Sequence, residues 1–136
     1  MALAADTPIE EVRSFFANDL FATQACGCRI VEASYGHAVT ELEITPQHRN
    51  AMGAVMGGAI FTLADFAFAA LTNDRERVAV AQQVSVNFLA AAKGDRLIAT
   101  ARYKKDGRAS CVVNVDVVDD TGREIAQFVG TGFKLK

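Results

Sequence analysis

The first residue in this chain that could do chemistry is a single carboxylate inside an apolar stretch. In the segment GGAIFTLADFAFAALTND, Asp65 is the only charged residue between Ala59 and Thr72. An ionised carboxylate in a dry interior is costly unless it is paired, and burial otherwise raises its pKa. Asp65 therefore either has a structural partner, such as a group on a neighbouring subunit, or is retained because it takes part in a reaction.

The cysteines and histidines are the other side chains that could carry chemistry. Cys26, Cys28 and Cys111 form an odd set, and each is expected to be a thiol. A zinc site needs more ligands, at better spacing, than His37 and His48 add, so no metal or other cofactor is expected. A catalytic Cys–His pair is the less favoured alternative, because most buried cysteines are inert.

Length and composition bound the class of protein. The 136 residues suit one domain spanning 1–136. The composition, with 51% apolar and 22% charged residues, is usual for a soluble globular chain. The net charge of -2 argues against a nucleic-acid partner. The longest apolar run is too short to span a bilayer. The start, MALAADTPIEEVRSFF, lacks the pattern of a signal peptide, so the expected location is the cytoplasm.

Local patterns predict a short helix first, then two strands. The segment TPIEEVRSFFANDLF carries apolar residues at helical spacing, with Leu20 the last of them. Thr7 is expected to cap this helix, with Pro8 in its first turn and Glu10 completing a capping box. The strands lie in CRIVEASYGHAVTELEI, and a glycine-containing loop, TPQHRNAMGAVMGG, follows them.

The segment that holds Asp65 is predicted to be a buried helix ending at Asn73-Asp74, because it is long, alanine-rich and apolar nearly all round. Four strands are predicted after it, in VAVAQQVSVNFL, DRLIATARYKK, ASCVVNVDVVD and EIAQFVGTGFKL. The short polar connections containing glycine predict antiparallel hairpins between them. The expected fold class is α+β, a curved antiparallel sheet wrapped around one long central helix.

This element order, together with one string of residues, resembles a known family. The string N-x2-G-x3-G-G-x6-D falls at Asn50, Gly53, Gly57, Gly58 and Asp65. With VNFL before a Gly-Asp turn and TGF near the end, the chain is similar to the hot-dog-fold acyl-CoA thioesterases, most of all their phenylacetate-pathway-like (PaaI-type) branch. The resemblance covers about residues 10–134. It implies the hot-dog fold and hydrolysis of an acyl-CoA thioester to a carboxylic acid and free CoA.

The resemblance also implies roles for three residues. Asp65 is the expected catalytic carboxylate, Gly57 donates its backbone N–H to the thioester oxygen, and Asn50 positions water or substrate. A helix N-terminus offers fixed N–H donors to a developing oxyanion, which supports the role of Gly57 on physical grounds. Asp65 would act as a general base or as a nucleophile that forms an anhydride, and both routes stay open. For Asn50, capping of the loop is an almost equally favoured interpretation.

Met56 is the most important departure from the family pattern. Most members have His before the paired glycines, so any help that this His gives to the carbonyl is absent here, and His48 is not an obvious substitute. A non-catalytic acyl-CoA or fatty-acyl binding protein on the same fold is therefore the alternative function. A hot-dog dehydratase or hydratase is less favoured, because that class pairs a His with a carboxylate and no His lies near Gly57 in the sequence.

Further residues are candidates for substrate binding. They lie at the paired glycines, on the central helix, on one strand and beside a hairpin turn: Met56, Gly58, Phe61, Phe66, Gln83, Ser85, Lys104 and Arg108. A solvated face or a subunit interface explains Gln83 and Ser85 equally well. For Lys104 and Arg108, a solvated turn is favoured over contacts with CoA phosphates. Aryl-acetyl, aroyl and medium-chain acyl groups all fit the sequence.

Helix geometry predicts an assembly. Gly57 and Asp65 are eight residues apart in the sequence. This spacing is about 12 Å along a helix axis and about 80° around it. A carbonyl about 3 Å from the Gly57 N–H therefore does not easily reach Asp65 of the same helix. We expect a homodimer in which Gly57 of one chain faces Asp65 of the other, paired further into a homotetramer, as the resemblance also implies.

Overall fold

The computed structural model describes residues 7–73 and 78–135, and two α-helices and six strands make up most of these residues. The elements are α1 (Ile9–Phe16), β1 (Arg29–Ser34), β2 (His37–Glu43), α2 (Gly57–Thr72), β3 (Val78–Phe88), β4 (Arg96–Asp106), β5 (Ser110–Asp119) and β6 (Glu124–Leu135). Every predicted helix and strand is present. Asn73 caps the end of α2 as expected, and Asp74 lies outside the described residues. Neither described helix is long and apolar enough to cross a membrane.

The six strands form one antiparallel sheet in the order β1-β2-β4-β5-β6-β3. The predicted β4–β5 and β5–β6 hairpins are confirmed. The predicted hairpin between β3 and β4 is wrong, because β3 pairs with β6 while β4 pairs with β2. The turn at Gly94 that indicated a hairpin makes a tertiary contact instead. The Asp119 carboxylate accepts hydrogen bonds from the N–H groups of Lys93 and Gly94 at 2.8 and 3.0 Å.

The central helix α2 packs across the sheet and contacts all six strands. The Thr40 hydroxyl on β2 donates a hydrogen bond to the Leu63 carbonyl on α2 at 3.1 Å, which satisfies a buried polar group. On β6, a Cβ atom at Gly130 or Gly132 would come within 3.0 Å of the Phe68 ring, so the two glycines give that ring its space. This packing confirms the predicted buried helix.

The start of α1 differs from the prediction. Pro8, not Thr7, occupies the capping position, and no side chain caps this end of the helix. The Pro8 carbonyl accepts hydrogen bonds from the N–H groups of Glu11 and Val12 at 3.0 and 3.2 Å. The predicted capping box needs Thr7 as the capping residue and Glu10 three positions after it. Because the helix begins one residue later, Glu10 is not at that position. Its carboxylate accepts a hydrogen bond from Arg13 at 2.7 Å.

Candidate active site

The N-terminus of α2 begins at the paired glycines and is held by the preceding loop. Met56 has an extended backbone, and its N–H donates to the His48 carbonyl at 2.8 Å. The Met56 carbonyl accepts from the Ala59 N–H at 3.0 Å, which starts the helix. Gly57 is the first residue of α2, so its N–H has no partner within the helix and lies at the positive end of the helix dipole. The predicted position of Gly57 at the helix start is confirmed.

A cavity of about 380 Å³ adjoins Gly57, and residues 88–91 form part of its wall. A Cβ atom at Gly57 would stand 3.2 Å from Cζ of Phe88, so glycine lets the ring and a ligand approach the backbone closely. Phe88 and Leu89 were not among the predicted site residues. Both residues belong to the VNFL string that contributed to the family resemblance. That they line the cavity beside Gly57 became known only from the position of β3 in the fold.

Asn50 organises the loop before α2. Its side-chain Oδ1 accepts hydrogen bonds from the N–H groups of Met52 and Ala54 at 3.0 and 3.2 Å. Its backbone N–H donates to the Ala54 carbonyl at 2.8 Å. Gly53 stands inside this turn with a φ of 87°, a conformation that favours glycine. The loop-capping interpretation of Asn50 is therefore observed, and its contact with substrate or water stays a prediction.

Asp65 is half-buried and lines a cavity of about 460 Å³ together with Asp19. Among the described residues no cationic side chain pairs with Asp65. Burial raises the pKa of Asp65 above its usual value, and the negative charge of Asp19 raises it further. Burial also raises the pKa of Asp19. Asp19 was missed from the sequence, because it lies 46 residues from Asp65 and only the fold brings the two into one cavity.

A π-helical turn from Phe21 to Ala25 lies beside α2. The N–H and the hydroxyl of Thr23 both donate to the Asp19 carbonyl, at 2.9 and 2.8 Å, and hold the start of this segment. Helical spacing placed Leu20 on the buried face of α1, but α1 ends at Phe16 and Leu20 is 56% exposed. Leu20 and Phe21 instead line the cavity of Asp65. Such π-helical turns occur frequently at functional sites.

A third cavity, of about 420 Å³, contains Met56 and Gly58. It shares Phe21, Phe61 and Thr62 with the cavity of Asp65. The two cavities therefore form one trough along α2, which runs from Met56 and Gly58 to Asp65. We call this surface the α2 trough.

His48 also lines the α2 trough, but its ring is used in structure. Its Nδ1 accepts a hydrogen bond from the Thr45 N–H at 3.0 Å, and its Nε2 lies 2.7 Å from the Cys26 carbonyl, which places the proton on Nε2. The contact to Cys26 runs through the carbonyl and not through the thiol. All three cysteines are buried thiols, and burial raises the pKa of Cys26. This geometry gives no support to a catalytic Cys–His pair or to His48 as a substitute for the missing His.

The remaining predicted residues lie in three places. Phe61 lines the α2 trough and Phe66 is buried at its end, whereas Gln83 and Ser85 are exposed on β3. Lys104 and Arg108 lie at the β4–β5 hairpin. The neighbouring Tyr103 hydroxyl donates to the Leu71 carbonyl at 3.3 Å, so this hairpin lies at the opposite end of α2 from Gly57. Within one chain, Lys104 and Arg108 are not brought to the α2 trough.

The positions of Gly57 and Asp65 decide what one chain can do alone. They line different cavities, and among the residues that the structure describes the two linings have none in common. At eight residues' separation they also lie about 12 Å apart along the axis of α2. A single chain therefore does not hold a carbonyl oxygen at Gly57 while Asp65 reaches the carbonyl carbon or its attacking water.

A six-stranded antiparallel sheet around a central helix is the architecture of a hot-dog fold. The sequence profile of the Thioesterase superfamily matches residues 52–126. The chain belongs to the Thioesterase superfamily. The predicted enzyme class, a thioester hydrolase, is thereby confirmed.

Three similar proteins support this assignment. The chain is 31% identical to the acyl-coenzyme A thioesterase PaaI of Escherichia coli K12, over 93% of this chain and 90% of that one. The structure of E. coli PaaI aligns with a TM-score of 0.81 at 26% identity, over 95% of this chain and 97% of that one. Human acyl-coenzyme A thioesterase 13 is 30% identical over 72% of this chain and 73% of its own length. A Streptococcus mutans protein bound to acetyl CoA aligns with a TM-score of 0.74 at 32% identity, over 79% of this chain and 88% of that one. The predicted PaaI-type resemblance and hot-dog fold are confirmed.

Proposed function

We propose that the protein is an acyl-CoA thioesterase whose active sites are shared between the two chains of a homodimer. The observation that carries this proposal is the separation of Gly57 and Asp65 into two cavities, which share no residue within 7–73 and 78–135. Two α2 helices related by a two-fold axis can place Gly57 of one chain opposite Asp65 of the other. In such an arrangement the N-terminus of the partner's α2 and the bound substrate face Asp65. Its half-buried position is then explained by its part in the reaction.

The proposed reaction begins with the thioester oxygen at the Gly57 N–H, where the helix dipole favours the charge that develops on it. Asp65 then takes a proton from water, and the hydroxide attacks the carbonyl carbon. The tetrahedral intermediate breaks its C–S bond and expels CoA thiolate, which takes up the proton from Asp65. In the other route the Asp65 carboxylate attacks directly, forms an anhydride and expels CoA thiolate, and water then hydrolyses the anhydride. A raised pKa makes Asp65 a stronger base than an exposed carboxylate, and both routes stay open.

The strand β3 is the proposed place of contact between the two chains. It lies at an edge of the sheet, so one side of its main chain has no neighbour among the described strands. Pairing of β3 with its copy would continue the sheet across the two-fold axis. It would also bring Phe88 and Leu89, which line the cavity of Gly57, towards the partner's α2. A further pairing of two such dimers into a tetramer stays a prediction.

The proposed substrates are acyl-CoA thioesters with an aryl-acetyl, aroyl or medium-chain acyl group. This part of the proposal rests on the apolar lining that Phe21, Phe61 and Phe66 give to the α2 trough. Lys104 and Arg108 of a neighbouring chain are the proposed contacts of the CoA phosphates, with Gln83 and Ser85 on a wall of the shared site. A single domain over 1–136 and a cytoplasmic location also stay predictions.

A steady-state assay on a panel of acyl-CoA thioesters, with Asp65→Asn as the comparison, tests this function. The wild-type protein is expected to release free CoA from at least one member of the panel. Asp65→Asn is expected to lower kcat by at least about a hundredfold while the melting temperature changes little, since an amide neither accepts the proton nor attacks the carbonyl. Near-wild-type turnover by the variant would remove Asp65 from the mechanism. Loss of folding would favour a structural role instead.

The alternative is a non-catalytic acyl-CoA or fatty-acyl binding protein on the same fold. Met56, in place of the usual His, is the observation that favours it, because an apolar thioether polarises no carbonyl. The same panel separates the two functions. Binding of an acyl-CoA without release of CoA would support the alternative.

A further inference from the structure

A further cavity lies behind the α2 trough, and we call it the rear cavity. Its volume is about 450 Å³, close to the 460 Å³ of the cavity that holds Asp65. It lies between α1, the start of β1 and α2, with Phe16, Cys28 and Ile30 among its apolar lining residues. The proposed reaction makes no use of this space.

Phe66 separates the rear cavity from the α2 trough. Among the described residues, it is the one that lines both the rear cavity and the cavity of Asp65. Its side chain is 3% exposed, and its ring meets the ring of Phe16 edge-on, with 6.0 Å between the ring centroids. Two buried aromatic rings packed in this way make a rigid wall.

The charged groups beside the rear cavity already have partners. Arg13 donates hydrogen bonds to the Ile30 carbonyl at 2.8 Å and to Glu10 at 2.7 Å. Arg29 donates to Glu41 at 3.1 Å. Burial raises the pKa of the Cys28 thiol, so this part of the wall is uncharged at neutral pH. Thr23 and Gln24 also line the cavity and are uncharged, and the Thr23 hydroxyl already donates to the Asp19 carbonyl. Because the charges of its described lining residues are paired, the rear cavity suits a hydrocarbon chain better than an anion.

We propose that Phe66 sets the length limit of the acyl group, and that the rear cavity is an extension of the acyl pocket closed by the Phe66 ring. This inference rests on the proposed function and narrows its substrate class. The wild-type enzyme takes compact acyl groups that end against Phe66, either the aryl groups or the shorter of the medium-chain ones. A long linear chain needs the space that this ring occupies.

Phe66→Ala tests the inference, with Phe68→Ala as its matched control. Phe68 is on the same helix and is 2% exposed, but it packs towards the sheet, against Phe128 and the two glycines of β6. The control therefore removes the same side-chain volume without joining the two cavities. The measured quantity is kcat/KM for phenylacetyl-, hexanoyl- and dodecanoyl-CoA.

Phe66→Ala is expected to raise the ratio of kcat/KM for dodecanoyl-CoA over hexanoyl-CoA by at least about tenfold. Each additional buried methylene contributes about fourfold, so a few methylenes in the rear cavity suffice. In Phe68→Ala the ratio is expected to stay within about twofold of the wild-type value. An unchanged ratio in folded Phe66→Ala, or an equal rise in Phe68→Ala, would overturn the proposal.

Two further measurements keep the test decisive. If Phe66→Ala does not fold, Phe66→Leu replaces it, with a smaller shift expected in the same direction. Calorimetric titration with hexanoate and dodecanoate measures chain-length preference without any reaction, and the folded variant is expected to gain affinity for dodecanoate alone. A wild-type protein that hydrolyses no acyl-CoA would refute the proposed function, and the titration would still decide the role of Phe66. If folded Phe66→Ala gained no affinity for dodecanoate, the proposed role of Phe66 would be overturned.

Discussion

Asp65 faces a second carboxylate, Asp19, in the cavity that both residues line. Burial raises the pKa of Asp65 most, and the charge of Asp19 raises it further. A carboxylate that acts as base or nucleophile must be ionised, so the rate falls as the pH falls through its pKa. Asp19→Asn removes one of the two causes and is expected to lower this pKa. The acidic limb of the kcat–pH profile should therefore move to lower pH.

The control for Asp19→Asn is Glu10→Gln, which removes an exposed carboxylate from α1 outside the cavity of Asp65. Its acidic limb is expected to coincide with that of the wild type. An Asp19→Asn profile that coincides with both would show that the charge of Asp19 has no influence on the reacting group. A shift of the acidic limb to higher pH would contradict the expectation that Asp19 raises the pKa of Asp65.

Met56 occupies the position where the family resemblance expects His. The side chain is 56% exposed in the single chain, at the Gly58 end of the α2 trough. Met56→His is therefore expected to raise kcat with little change in melting temperature, because the imidazole gains access to the carbonyl without being deeply buried. An unchanged or lower kcat in a folded variant would mean that this site uses a different geometry.

At the scale of elements, the connection between β3 and β4 depends on one carboxylate at the end of β5. Asp119 is 1% exposed and accepts hydrogen bonds from the Thr121 hydroxyl at 2.6 Å and from the Lys93 and Gly94 N–H groups. Further N–H donors are those of Thr121 and Arg123, both at 3.0 Å. The hydrogen bond from the Thr121 hydroxyl has the largest effect on the pKa of Asp119. Together with the backbone donors, it holds this pKa well below its usual range. This carboxylate joins two turns that are distant in the sequence.

Asp119→Ala is expected to lower the urea midpoint of unfolding far more than Asp116→Ala, which removes an exposed carboxylate from the same strand. A surface substitution such as Asp116→Ala typically changes stability by no more than about 0.5 kcal/mol. Because the pKa of Asp119 is depressed in the folded state, its contribution is complete above the unfolded pKa of about 3.9. The difference between wild type and Asp119→Ala should stay constant from about pH 5 to 8 and shrink below about pH 4. Equal midpoints for the two variants would contradict this role.

At the scale of the whole molecule, the shared site predicts that two inactive chains rescue each other. Asp65→Asn removes the carboxylate, and Gly57→Pro removes the N–H at a helix position that tolerates proline. A mixed dimer has one site that takes both intact groups from different chains. An equal mixture refolded together forms mixed dimers in half of the cases, so about a quarter of the wild-type activity is expected.

Light scattering on each variant and on the mixture is the control for this experiment, and a mass of at least twice that of one chain is expected. The absence of activity in verified mixed dimers of folded chains would contradict the shared site. A fully active monomer would contradict it as well.

Local sequence patterns were enough to predict the helices and strands of this protein and the first residue of the helix that carries its site. Residue periodicity and glycine-containing turns predicted α2 and all six strands, and the glycine pair marked Gly57 as the first residue of α2. These signals are local, because helix and strand periods and turn conformations depend on residues close together in the chain. The start of α1 was also decided locally, and there the helix begins one residue later than the capping-box pattern predicted.

Which elements are neighbours, and which side chains share a cavity, became known from the folded structure. Asp119 binds Lys93 across 26 residues, and Asp19 reaches the cavity of Asp65 from the segment after α1. The pairing of β3 with β6 and the position of Phe66 between two cavities are contacts of the same long-range kind. Burial of apolar area and pairing of buried polar groups across the whole fold select such contacts. Local sequence patterns do not predict these contacts, because each contact joins two segments that are distant in the sequence and forms only when both are folded.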